Sequence, residues 1–244
     1  MMETGIYKKN ILIGIGLLLT AVLLIVLIQS IGDEEQEESL TKTDSHGFTF
    51  FDLGPDSVLT DEIRDKLEDR LGSDAIETQT MIDLTINDSR FMQRFFPEIH
   101  KLNQDLNDPP GERVEHDTTK LMYRYISTKK VPFDYVELLF SNNSGLPLLI
   151  RIFSNKDISK IIETIESKYG PGRRITWNDN QHQSMYWKRD KDVFVFSVIP
   201  DRYGNPEYHI TICYTANLEA LLAEEKTRMQ KQAKERNQAG KIPF

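Results

Sequence analysis

The side chains that most often carry chemistry are few in this chain and poorly spaced for it. Histidines stand at His46, His100, His116, His182 and His209, and none falls in an HExxH or HxH spacing. Such spacings put two imidazoles on one face of a helix or strand, where they can share a metal ion. Glu115-His116-Asp117 gathers three ligand types. Neighbours on an extended chain point to opposite faces, however, so the triplet reads as surface residues. Cys213 is the single cysteine. It can form no intrachain disulfide, no cysteine zinc site and no CxxC redox pair. Set in an apolar strand pattern, it reads as a buried structural thiol. His209 precedes it by four residues, which on a strand is about 13 Å at about 3.3 Å per residue, too far for proton transfer. No serine sits in a Gly-x-Ser-x-Gly elbow, and no P-loop is present. Asn178-Asp179-Asn180 starts like a calcium loop but lacks its glycine and distal glutamate. The residue types therefore imply no catalytic group, no metal site and no cofactor.

Two groups of residues suit binding instead. Trp177, Tyr186, Trp187, Tyr203 and Tyr208 concentrate aromatic surface in the C-terminal third, and tyrosine and tryptophan dominate the energetics of many interfaces. From residue 226 onward the chain is basic, with Lys231, Lys234 and Arg236 at its centre. The apolar stripe ends near Met229, so this tail reads as a solvated contact element rather than core. The net charge of -8 argues against nucleic acid as a partner.

The elements that must position these residues follow from periodicity. Leu59, Ile63, Leu67 and Leu71 mark an amphipathic helix, with Thr60 as its cap and Gly72 as its stop. Residues 47–53 read as a short strand or docking segment. Ile76, Thr78, Thr80, Ile82, Leu84 and Ile86 alternate as a strand. A helical region opens at Asp88 or Ser89 and is divided by Pro97. Asp108-Pro109-Pro110-Gly111 is the candidate internal boundary. Beyond it come three strands, a helix carrying Ile158, Ile161, Ile162, Ile165 and Tyr169, three more strands, and a last helix capped by Asn217. The pattern predicts an α+β fold, with an antiparallel sheet and packed helices in β-β-β-α-β-β-β-α order through the C-terminal half.

The N-terminal region adds an expectation of its own. Residues 11–28 contain no charge, and the apolar run continues to Ile31. About 20 such residues span a bilayer core of about 30 Å. Lys8 and Lys9 precede the run and acidic residues follow it, which keeps the N-terminus in the cytoplasm. The expected organisation is a cytoplasmic segment at 1–10, a transmembrane helix at 11–31 and a polar spacer at 32–46. An N-terminal part (47–108), a sheet domain (112–225) and a basic tail (226–244) follow. The reading is a single-pass, signal-anchored membrane protein held in the lipid bilayer by 11–31, its domain outside the cytoplasm, periplasmic in a Gram-negative bacterium. The expected function is noncatalytic binding of a protein or envelope component. The alternative is an enzyme or small-ligand receptor whose site assembles from distant residues.

Overall fold

The structure, a computed structural model, describes residues 47–124, 126, 131–177 and 182–239. Helix α1 (Asp61–Leu71) leads to β1 (Asp74–Thr80), α2 (Ser89–Phe95) and α3 (Pro97–Leu106). Strands β2 (His116–Tyr123), β3 (Tyr135–Ser141) and β4 (Pro147–Ser154) follow, then α4 (Ser159–Tyr169). The chain continues through β5 (Arg173–Trp177), β6 (His182–Arg189), β7 (Asp192–Pro200) and β8 (Pro206–Cys213) to α5 (Thr215–Ala239). The eight strands form one antiparallel sheet in the order β1-β2-β3-β4-β8-β7-β6-β5.

That order divides the sheet into two halves of like strand order, the first carrying α2 and α3 between β1 and β2. Each half is an 11-residue helix followed by a four-stranded meander: α1 with β1 to β4, and α4 with β5 to β8. The halves meet at the centre, where β4 and β8 pair with Ile150 opposite Ile212. Both helices end on a glycine of positive φ, Gly72 at 92° and Gly170 at 81°. That conformation is cheap only without a Cβ. Counting back one, five and nine residues from the glycine finds Leu71, Leu67 and Ile63 in α1 and Tyr169, Ile165 and Ile161 in α4. All six pack into the same core.

The local signals explain the helix ends. Thr60 Oγ1 accepts from the Ile63 amide at 3.2 Å, and Asp88 Oδ1 accepts from the amides of Arg90 and Phe91. Pro97 occupies the first position of α3, where its missing N–H costs nothing. Asp192 Oδ1 accepts from the Thr215 amide at 2.9 Å and so holds the start of α5. Asn217, the expected cap there, instead donates to the carbonyls of Pro55 and Pro147.

Helices α1 and α4 cover one face of the sheet, packing on Leu121, Leu138, Ile150, Phe196 and Ile212. The segment at 48–53 shares that core, held by Tyr214 Oη donating to the carbonyls of Phe48 and Leu53. Helices α2, α3 and α5 cover part of the other face, on Leu139, Leu149, Val193, Val195 and Cys213. Each fully buried large side chain contributes about 1.5–3 kcal/mol.

Several expectations are corrected. Among the described residues no helix is long and apolar enough to cross a membrane. The expected span at 11–31 and the spacer at 32–46 lie outside the described residues. The single-pass, signal-anchored description and the periplasmic placement that depended on it therefore have no support and are withdrawn. Among the described residues the fold is an eight-stranded antiparallel sheet with five helices, and four strands, not three, follow α4. The missed strand, β5, is short, and its exposed Arg173 and Arg174, one on each face, hide the alternation, as charges on edge strands do. Residues 47–53 contribute only a Phe50–Leu53 bridge. Strand β1 ends at Thr80, where Gln79 adopts φ 55° and the register shifts. Ile82, Leu84 and Ile86 beyond it are buried outside the sheet, in the core under α2 and α3.

Candidate binding surface

The two halves differ where each helix hands over to its strand. In the first half two residues separate the helix from β1, and Asp74 pairs with Tyr123, the last residue of β2. In the second half Gly170-Pro171-Gly172 intervenes. Proline has no N–H to give to a ladder, and β5 begins only at Arg173, opposite Tyr186. Strand β6 runs on through residues 187–189 without a β5 partner, while its other edge stays paired with β7. A cavity of about 260 Å³ occupies this gap, lined by Tyr169, Pro171, Arg173, Tyr186, Trp187, Lys188 and Arg189.

The walls are fixed by packing. Trp187 Nε1 donates to the Gly170 carbonyl at 2.7 Å. A Cβ on Gly172 would fall 2.6 Å from the Trp187 ring and 2.7 Å from Met185, so only glycine lets the connection lie this close. Arg189 stacks over Tyr169 at 4.8 Å on one side of the sheet. Lys188 lies over Phe96 at 5.7 Å on the other, and Phe96 also meets Tyr186 edge-on at 5.3 Å. Arg173 is exposed beside them. Among the described residues none of these three cations lies within ion-pair distance of a carboxylate.

The expected binding residues do not form one surface. Tyr186 and Trp187 line the cavity. Trp177 packs on Phe91 at 4.8 Å and donates to Ser184 Oγ at 3.1 Å, in the core under α2. Tyr203 stands 73% exposed in the β7–β8 turn, and Tyr208 packs on Phe196 on the face covered by α1 and α4. Lys231, Lys234 and Arg236 are exposed along the outer part of α5, and Met229 is exposed as well. Sequence reasoning missed Tyr169, Arg173, Lys188 and Arg189. The pairs Arg173-Arg174 and Lys188-Arg189 were visible as local basic runs in an acidic chain, but only the strand register brings them together.

Two other polar clusters have different roles. A cavity of about 290 Å³ on the face bearing α2, α3 and α5 is lined in part by Tyr135, Arg151, Ser197 and His209. Arg151 donates to the carbonyls of Asp83 and Thr85, which fastens the chain after β1 to the sheet. Ser197 Oγ is engaged by Ser184 Oγ at 2.8 Å. His209 Nε2 lies 3.6 Å from Glu207. Burial lowers the His209 pKa, against the pull of Glu207. Ser197 stands opposite His209 in the β7–β8 register, but its Oγ is taken up by Ser184 and, among the described residues, no hydrogen bond joins it to His209. Cys213 is fully buried, and burial pushes its thiol up to about 12. The second cluster corrects the reading of His116 as a surface residue. His116 is 2% exposed, with Nδ1 2.7 Å from Glu225 Oε2 and Nε2 2.9 Å from the Leu106 carbonyl. The Asp117 amide donates to Glu225 Oε1 at 3.0 Å. This pair joins α3, β2 and α5. Among the described residues no group of three His, Cys, Asp or Glu side chains is placed to hold a metal ion.

No protein-family model, curated protein or solved structure matches the chain.

Proposed function

We propose that the chain is a noncatalytic binding module that captures a protein partner at the open end of β6. The observation that carries this reading is the grouping of Arg173, Lys188 and Arg189 with Tyr169, Tyr186 and Trp187 around one shallow cavity. Arginine, tyrosine and tryptophan are the residues most enriched at binding hot spots. At the open end of β6 the Lys188 backbone N–H and C=O face outward, a donor and an acceptor that an extended segment of a partner can use.

Gentle isolation of the full chain from its own cells tests this. The double variant Arg173→Glu/Lys188→Glu should lose a specific copurifying protein that the wild type retains. Lys231→Glu/Lys234→Glu, an equal charge change on the tail, should keep it. The reverse result would move the contact to the outer part of α5, and retention in both variants would refute the reading.

A further inference from the structure

We propose that the cavity at the end of β6 binds a compact anionic group, a phosphate monoester or a carboxylate, carried on an aromatic or apolar body. The inference deepens the binding reading above and rests on it, since it names the chemistry that a partner would present there.

Charge is the first reason. The chain holds 38 acidic residues against 30 basic ones, yet the cavity lining includes three cations and no carboxylate. Like charges gathered without a counter-ion repel one another, and an anion placed among them relieves that cost. Geometry is the second. The Arg189 guanidinium lies against the Tyr169 ring and Lys188 over Phe96. Stacking uses the face of a guanidinium and leaves its in-plane N–H groups free, which is the fork that grips carboxylate and phosphate. Position is the third. Arg173 and Lys188 belong to one side of the sheet and Arg189 to the other, so the cations surround the edge that β5 leaves open. The Lys188 backbone N–H, which faces the open edge between residues bonded to β7, adds one neutral donor. The body of the ligand follows from the remaining walls. Tyr169, Pro171, Tyr186 and Trp187 are flat or apolar, and about 260 Å³ is roughly nine water volumes, more than a bare phosphate needs.

The test uses the full chain labelled at its indole nitrogens. The two tryptophans give two reporters. Trp187 lines the cavity, whereas Trp177 is tied to Ser184 elsewhere in the sheet. Titrants are phenyl phosphate, benzoate, inorganic phosphate and phenol. Phenyl phosphate or benzoate should move the Trp187 signal saturably and leave Trp177 in place, and whichever binds more tightly identifies the anion. Phenol should do nothing, and inorganic phosphate should bind more weakly than its phenyl ester. Arg173→Ala/Lys188→Ala should weaken binding at least tenfold, and added salt should weaken it further. Absence of a saturable Trp187 shift with either aromatic anion overturns the inference, as does unchanged affinity in the double variant. If the anions fail while Arg173→Glu/Lys188→Glu still loses the copurifying protein, the anion chemistry falls and the binding surface stands. If both fail, both readings fall.

Discussion

Replacing Glu225 with alanine should destabilise the fold by about 3–5 kcal/mol, because it strands a buried partner. The Glu225 carboxylate meets His116 Nδ1 at 2.7 Å and the Asp117 amide at 3.0 Å. The two side chains are only 2% and 7% exposed. Removing the acceptor leaves the imidazole and one amide without it, and each buried unsatisfied group costs about 1–3 kcal/mol. Breaking one side of a buried pair falls in the same range. Arg228 still reaches Asp117 at 3.0 Å, so α5 keeps one tether to β2. At about 2–4 °C per kcal/mol for a domain of this size, the melting temperature should fall by roughly 10 °C. Urea denaturation at pH 7 measures the loss directly. The double variant His116→Leu/Glu225→Leu should recover part of it, since the stranded imidazole goes, while the Asp117 amide and the Leu106 carbonyl still lose a partner. A loss below about 1 kcal/mol in Glu225→Ala, or no recovery in the double variant, would refute the reasoning. The pair also sets a pH dependence. Burial alone would raise the Glu225 carboxyl, but the His116 hydrogen bond, the Asp117 amide and the nearby His116 and Arg228 charges outweigh it and hold the group below its ordinary value. Its stabilisation is therefore present above the unfolded value near 4.3 and is lost as the pH falls through the lower folded one.

Other consequences are equally direct. Burial raises Asp192 to about 6, despite the amides of Thr215 and Ala216. The folded state therefore holds this proton more tightly than the unfolded one, and stability should decline as the pH rises from about 4 to 6. Asp192→Asn, which keeps an acceptor for the Thr215 amide, should flatten that decline and gain on the order of 1–3 kcal/mol at pH 7, measured by denaturation across pH. Gly172→Ala should shift the Trp187 indole signal and cost about 1–3 kcal/mol, because its Cβ has no room beside the ring. An unshifted signal would show that the α4–β5 connection lies elsewhere. Removing residues 231–244 should change stability by less than about 0.5 kcal/mol, since the side chains of residues 231–237 are exposed and Arg228 remains. A melting temperature lowered by several degrees would contradict this.

Much of the framework was legible where one residue decides one local geometry. Thr60, Asp88 and Pro97 act at helix starts, and Gly72 and Gly170 at helix ends. These effects are local, so a single sequence carries them. The like order of the two halves was not legible, because they share positions of burial rather than residue types. Tyr169 stands where Leu71 does, and Ile165 where Leu67 does. The His116–Glu225 pair was hidden by 109 residues of separation. For the binding surface, the aromatic pair Tyr186 and Trp187 was visible as composition, but the cations around it required register. Arg173 meets Tyr186 only because Pro171 and Gly172 delay the start of β5. Trp177 and Tyr208 misled for the opposite reason, since an aromatic on a strand serves a core as readily as an interface.

Site-specific photocrosslinking in living cells tests the central claim most directly. A benzophenone amino acid placed at Arg174, which is exposed on the edge strand beside the cavity, should yield a discrete adduct to a partner protein. That adduct should disappear when Lys188→Glu is added. The same probe at Ile76 on the opposite edge, or at Lys234 on the tail, should give none. An adduct from Ile76 or Lys234 with none from Arg174, or an Arg174 adduct indifferent to Lys188→Glu, would contradict the assignment of the open end of β6 as the binding surface.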